Sequence, residues 1–353
     1  MHFTFTDEQS ILADTAKAFF AEHATSKRTR AAMNARGVDD ELWRGFTQQL
    51  GFGGITVPED FGGAGLGMVE LAIVSEAAGA NVAALPMLGS IAMTVQAIVM
   101  GGTPEQKSTW LPKLIAGEKI GACAECDDLK SFENRLTGTA EFVPHGDSAG
   151  VFVLGRGSEA WVVDQSASGL TVAALTTMDQ TRPYASLTLA SAKGEPLADG
   201  AAGLASARRA GWICIAAEAL GGAQACLDRT VSYSLDRVQF GRQIGSFQAY
   251  KHRLADMMIE IEQARSAVYW AACAVDEGAE DAPIALHSAK AFAADTFMMC
   301  AGNMIQLHGG IGFTWEHDAH LYFKRARAIS SMLGSSDWHR ENIARLIGLG
   351  DAA

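Results

Sequence analysis

The chain has 353 residues, 48% of them hydrophobic and 19% charged, so it reads as an ordinary globule long enough for two or three domains. Its formal charge of −12 argues against a nucleic-acid partner, which would call for a basic face. The start, MHFTFTDEQS, lacks a basic-then-apolar leader, and no uninterrupted apolar run reaches the ~18 residues of a membrane span, which leaves a cytoplasmic enzyme or enzyme subunit as the expectation.

Residues 1–118 read as a helical domain. Thr6 and Gln9 make a capping box ahead of Ile11, Leu12, Thr15, Ala16, Phe19 and Phe20, an apolar stripe at helical spacing. VPEDFGGAGLG (57–67) is a loop by composition. Its glycines miss the frame of a dinucleotide fingerprint and no helix opens on the last, so a mobile or ligand-flanking loop fits better than a phosphate cradle. LPKLIAGEK (111–119) closes the region with Pro, Gly and charge.

Over 119–200 the texture changes. GTAEFVP, GVFVLG, EAWVVDQ, GLTVAAL and ASLTLAS are short runs rich in Val, Thr and aromatics between Gly, Asp and Ser, the pattern of a small antiparallel β domain. From 201 to 353 helical periodicity returns. Leu254, Met257, Met258, Ile261, Ala264 and Val268 are expected on one stripe, and four or five long helices joined by short turns read as a four-helix bundle. The predicted class is therefore α+β, mostly α, in the order helical, β, helical.

Most candidate chemistry fails on spacing. CAEC (123–126) has redox or zinc spacing but no second pair, and the six cysteines sit among apolar residues, as buried small side chains do. A di-iron bundle needs Glu-x-x-His, and no histidine here has Glu three residues before it. His317 and His320 in EHDAH lie one turn apart without a partner motif and read as a solvated helix start; no metal is expected. SSDWHREN contains Ser, Asp and His, yet no Gly-x-Ser-x-Gly elbow accompanies it.

The stronger signal is a pair of segments roughly seventy residues apart, RVQFGRQIGSFQ (237–248) and QLHGGIGF (306–313). Each is a helix boundary rich in glycine and donors, where backbone N–H groups and a guanidinium can meet a phosphate. With PEDFGGAG, LPKLIAGE and AAEALGGAQACLDRTVSYSLDRVQFGRQIGSFQAYKH, the chain resembles the acyl-CoA dehydrogenase family over essentially its whole length. The resemblance implies dimers or tetramers in which each FAD lies across a subunit interface. It implies that Arg237 binds the pyrophosphate of an FAD held mainly by the neighbour, that Gln239, Phe240 and Gln248 add flavin-side contacts, and that Gln306, Gly309 and Gly310 receive the adenosine end. Ser335 and Ser336 fall in the family's C-terminal cofactor-contacting motif. An acyl-CoA thioester is the implied substrate, with an electron-transfer acceptor to reoxidise the flavin.

Two departures stand out. The family removes an α-proton with a carboxylate held near the thioester, and so weak a C–H acid needs a close, partly desolvated base. The commonest position for that base is occupied here by Leu333, and the alternative, on the first bundle helix, by Gly211. Glu218 lies two turns beyond Gly211, roughly 10 Å along a helix, and reads as structural. Asp337 reads as a cap or a solvated charge. The second departure is in the β region, GACAECDDLKSFENRLTGTAEFVPHGDSAGVFV, which carries neither the flavin-binding loop of relatives nor their lysine-containing strand ending in Ile-Thr-Asn.

Both losses resemble the non-catalytic subunits of bacterial heteromeric acyl-CoA dehydrogenases, some of which act on steroid side-chain thioesters. Two alternatives stay open: a self-sufficient homomeric dehydrogenase with a displaced base, and a non-redox binding or scaffold protein of the same fold.

Overall fold

The computed structural model describes residues 4–349. In chain order, helices α1 (Asp7–His23), α2 (Ser26–Ala32), α3 (Asp40–Arg44), α4 (Met68–Ala80), α5 (Val95–Gly101) and α6 (Pro104–Ile115) come first. Strands β1 (Gly121–Glu125), β2 (Lys130–Phe132), β3 (Arg135–Pro144), β4 (Val151–Arg156), β5 (Glu159–Asp164), β6 (Leu170–Leu175), β7 (Tyr184–Lys193) and β8 (Glu195–Pro196) follow. Then come α7 (Gly200–Asp236), the short strands β9 (Val238–Gln239) and β10 (Arg242–Gln243), and α8 (Gln248–Asp276), α9 (Ala282–His308), α10 (Ala319–Ser331) and α11 (Ser336–Leu346). The helical, β, helical order read from the sequence is the order observed.

The residues group into two compact units, one of 27–71 and 84–211, the other of 4–26, 72–83 and 212–349. In the first, the strands form two four-stranded sheets, β1-β4-β5-β8 and β2-β3-β7-β6. Leu136, Val143, Phe152, Leu154, Trp161, Leu187 and Leu189, from both sheets, share one buried cluster. All five runs expected as strands are strands. Pairing is antiparallel except between β1 and β4, which run parallel, because the chain leaves the first sheet after β1, builds β2 and β3 in the other, and re-enters at β4. β1 itself, GACAE, was legible only as a cysteine motif: Ala, Gly and Cys carry no β-branched signal. Burial pushes the Cys123 and Cys126 thiols up to about 12, so neither is a thiolate at neutral pH. The glycine-rich loop spends its amides on itself: Gly63 N donates to Pro58 O, Ala64 N to Gly54 O and Gly65 N to Val57 O. A phosphate would find none of those donors free.

In the second unit the capping box is present, Gln9 N donating to Thr6 Oγ1 at 3.2 Å and Thr6 N to Gln9 Oε1 at 3.0 Å. α9 packs against α8, α10 and α11 and is buried on nearly every side, which its alanines at 285, 289, 291, 293, 294 and 301 permit. α8 buries Met257, Ile261, Ala264 and Val268, whereas Met258 lies outside that stripe, exposed beside Ile259. A 100° step from Met257 is enough to carry a side chain to the outer face. Where α4 crosses α7 the backbones nearly touch: a Cβ on Gly79 would come within 2.1 Å of the Glu218 carbonyl oxygen, and one on Gly221 within 1.9 Å of that of Glu76. α7 is the one helix among the described residues long and apolar enough to cross a membrane, and its most apolar stretch is largely buried in protein.

Candidate functional site

The two glycine-rich segments meet. β9 and β10 form a minimal hairpin, Arg242 opposite Gln239 and Gln243 opposite Val238. The two residues that turn it, Phe240 and Gly241, have φ of 54° and 75°. A two-residue turn with both φ positive suits Asn-Gly or Gly-Gly; an aromatic there is strained by roughly 1–2 kcal/mol. Phe240 is also 91% exposed, so the strained side chain stands out in solvent, with Phe247 edge-on at 6.1 Å. Arg242 stacks on the Phe247 ring, 4.0 Å from its centroid.

Beside the hairpin lies a cavity of about 790 Å³. Its wall gathers Arg237, Gln239 and Phe240 from one segment and Gln306, Gly309 and Gly310 from the other. Gln248 does not line it, although its neighbours Phe247 and Ala249 do. Gln248 is the first residue of α8, whose N-terminus carries no side-chain cap, so unpaired amides and the positive end of a long helix lie at the cavity. At the other segment the helix points the opposite way. Gln306 to Gly309 close the C-terminal end of α9, with Gly309 at φ 63° and its amide donated to Gln306 O, so no helix N-terminus faces an anion there.

No carboxylate pairs with the Arg237 guanidinium among the described residues. Arg253, at the same wall, donates to Asn303 Oδ1 at 3.0 Å. Behind them stands an aromatic wall, whose members lie within the quoted segments without a role assigned to them there. His308 stacks on Tyr233 with centroids 4.5 Å apart. Its Nδ1 lies 2.7 Å from the Met304 carbonyl, which can only accept, so the hydrogen sits on Nδ1. Burial keeps that imidazole neutral by lowering its pKa. Tyr250 donates to the Leu307 carbonyl at 3.1 Å, and burial pushes its hydroxyl up to about 12. An unpaired guanidinium, a second cation, the N-terminus of α8 and aromatic faces on one concave wall fit a dinucleotide pyrophosphate with its attached rings.

The other candidates lie apart from this cavity. Ser335 caps α11, accepting from Trp338 N at 3.2 Å, and Ser336 donates to Asp295 Oδ1 at 2.7 Å. Glu218, 2% exposed, is held in a buried ion pair with Arg325. The Asp337 side chain is 96% exposed beside Arg340. Leu333 sits at φ 52° in the turn between α10 and α11, and Gly211 is buried within α7. His317 accepts from Ala319 N at 3.1 Å, a helix-start role, while His320 Nε2 lies 3.3 Å from the Trp315 carbonyl.

Residues 6–118 and 203–348 match the sequence profiles of the acyl-CoA dehydrogenase N-terminal and C-terminal domains. The chain is 35% identical to the acyl-CoA dehydrogenase IpdE2 of Mycolicibacterium smegmatis, over 97% of this chain and 98% of that one. It is 36% identical to IpdE2 of Mycobacterium tuberculosis, over 96% of each. Among solved structures, the ChsE4–ChsE5 complex from Mycobacterium tuberculosis superposes with a TM-score of 0.90 at 28% identity, over 100% of both chains. A variant of the Tcur3481–Tcur3483 steroid dehydrogenase gives 0.87 at 31%, over 98% of this chain and 99% of that one. The chain belongs to the acyl-CoA dehydrogenase family, whose members are FAD-dependent oxidoreductases.

Proposed function

We propose that this chain is the non-catalytic subunit of a cytoplasmic heteromeric α,β-acyl-CoA dehydrogenase, completing an FAD site that a homologous partner mainly builds. The observation that carries the proposal is a contrast within one chain. The wall that would meet a neighbour's FAD is assembled, with Arg237 unpaired, while the two positions at which the family holds its base are Leu333 and Gly211. Arg237, Gln239, Phe240, Gln306, Gly309 and Gly310 would hold the cofactor, the guanidinium and amides taking the pyrophosphate. When bound, FAD supplies the hydride acceptor for the β-carbon of the thioester; an electron-transfer acceptor then reoxidises it. The partner's carboxylate takes the α-proton.

Neither remaining carboxylate suits the work of a base. Glu218 would have to leave Arg325, and a buried charge stripped of its partner is costly. The Asp337 side chain stands out in solvent, paired with Arg340 at 3.2 Å. The heteromeric reading also draws on the likeness to the ChsE4–ChsE5 complex, and a steroid side-chain thioester as substrate draws on the likeness to a steroid dehydrogenase.

A visible absorption spectrum tests the proposal. The chain purified alone is expected to be colourless, or yellow without bleaching when acyl-CoAs are added in the absence of oxygen. Co-purified with a homologue carrying glutamate at the position of Gly211, it is expected to be yellow and to bleach. Bleaching of the chain by itself would mean a complete active site and would overturn the proposal.

A further inference from the structure

A second cavity, of about 1120 Å³, shares no lining residue with the one beside the hairpin. It is walled by α1, α4, α7 and α8 within the second unit, and one part of the lining is flat for want of side chains: Ala13, Ala77, Ala80 and Gly221. Ile73 and Phe5 add apolar surface, and Phe5 meets Tyr269 edge-on at 4.9 Å.

Another part is a hydrogen-bonded polar network. Glu76 accepts from the Arg265 guanidinium and, at 2.6 Å, from the Tyr269 hydroxyl. Arg265 also donates to Gln224 Oε1 at 2.9 Å, and Gln224 donates to Asp228 at 2.8 Å. Burial works against the Arg265 charge, and Glu76 more than offsets it, holding its pKa above the usual value. A large apolar cavity with a few convergent polar groups is the ordinary form of a small-molecule site.

The network also indicates which molecule fits. Lys17 and Arg265 are balanced by Glu76 and Asp228 along the lining, so an entering phosphate or carboxylate would gain no net charge complement. Arg265 spends three of its five N–H groups on Glu262, Glu76 and Gln224, leaving two that can donate to a ligand oxygen.

We infer that this cavity is a second binding site, distinct from the cofactor wall, for an uncharged, rigid, largely apolar molecule carrying a carbonyl or hydroxyl oxygen. The apolar body lies on the alanine and glycine face, and the oxygen accepts from Arg265. The inference does not depend on whether this chain completes an FAD site.

Calorimetric titration of the full chain with progesterone, an uncharged polycyclic ketone, and separately with palmitate, a carboxylate, tests it. Progesterone is expected to bind saturably at one site and more tightly than palmitate. Ala77→Phe fills the flat face from the buried side, and Ser266→Trp closes the cavity from an exposed position on α8. Each should weaken progesterone at least tenfold. If Ala77→Phe does not fold, Ser266→Trp decides. No saturable binding of progesterone, binding unchanged by Ser266→Trp, or tighter binding of palmitate would each overturn the inference.

Discussion

The indole Nε1 of Trp212 donates to the carbonyl oxygen of Leu333 across 2.9 Å. Trp212 lies on α7 and Leu333 in the turn before α11, so this one bond ties the long helix to that turn. The same Leu333 carbonyl lies 3.1 Å from His339 Nε2, and the next carbonyl, that of Gly334, accepts from the buried Lys290. Because a carbonyl only accepts, His339 carries its hydrogen on Nε2. Its Nδ1 then accepts from His287 Nδ1, 2.7 Å away. Two tautomers follow from one backbone oxygen, and the donors hold Leu333 at φ 52°, where a non-glycine residue is strained.

That clamp bears on the attempt to restore a base. Leu333→Glu alone is expected to give no turnover and no substrate bleaching, since the turn stays tied to Trp212, His339 and Lys290 and the β region lacks the family's flavin loop. Anaerobic titration of the variant with acyl-CoAs checks this; measurable turnover by the single chain would refute the argument from two losses.

Arg237→Ala should strip FAD from the reconstituted complex. A hydrogen bond to a charged group contributes about 1.5–3 kcal/mol, so flavin affinity should fall by one to two orders of magnitude, read from the ratio of flavin to protein absorbance. Unchanged occupancy would remove Arg237 from the site.

Phe240→Gly should pull stability and assembly in opposite directions. Relief of the left-handed conformation should stabilise the isolated chain by about 1 kcal/mol, while loss of an exposed aromatic should weaken FAD retention and partner binding. Urea midpoints of the single chain and gel filtration of the mixture read the two effects separately.

Glu218→Gln leaves Arg325 buried without its counter-charge, a change that typically costs about 3–5 kcal/mol. A large fall in urea midpoint is expected from a structural ion pair. A base displaced onto Glu218 would instead show lost turnover at nearly unchanged stability.

Acid should loosen the Leu333 clamp. Burial, with Lys290 nearby, pushes the His339 pKa down to about 3, and burial lowers that of His287. Below about pH 6.5 the unfolded chain therefore binds protons that the folded one refuses. Stability should fall as pH drops from there toward 3, by up to about 1.4 kcal/mol per pH unit for His339. Urea midpoints at pH 7.5, 6 and 5 measure the slope, and His339→Phe should flatten it while lowering the midpoint at pH 7.5.

By itself the sequence determined the order of elements and the residues of the two glycine-rich segments, because both are written in local chemistry. Periodicity marks α8, branched residues mark β3 to β7, and Arg237 to Phe240 and Gln306 to Gly310 are short contiguous motifs. Only the tertiary structure brought those segments, roughly seventy residues apart, to one wall, and only it put Arg253 on that wall and Tyr233, Tyr250 and His308 side by side behind it. It also assigned the helix ends, setting the N-terminus of α8 and the C-terminus of α9 at the same cavity. Glu218 looked structural from its surroundings, yet the partner that makes it so, Arg325, lies 107 residues on. The clamp on Leu333 depended on contacts as distant: Trp212, Lys290 and His339 converge on two carbonyls, with His287 behind His339, because α7, α9 and α11 meet there. Local sequence carries propensity and motif; it carries no signal for which buried donor a distant backbone oxygen will meet.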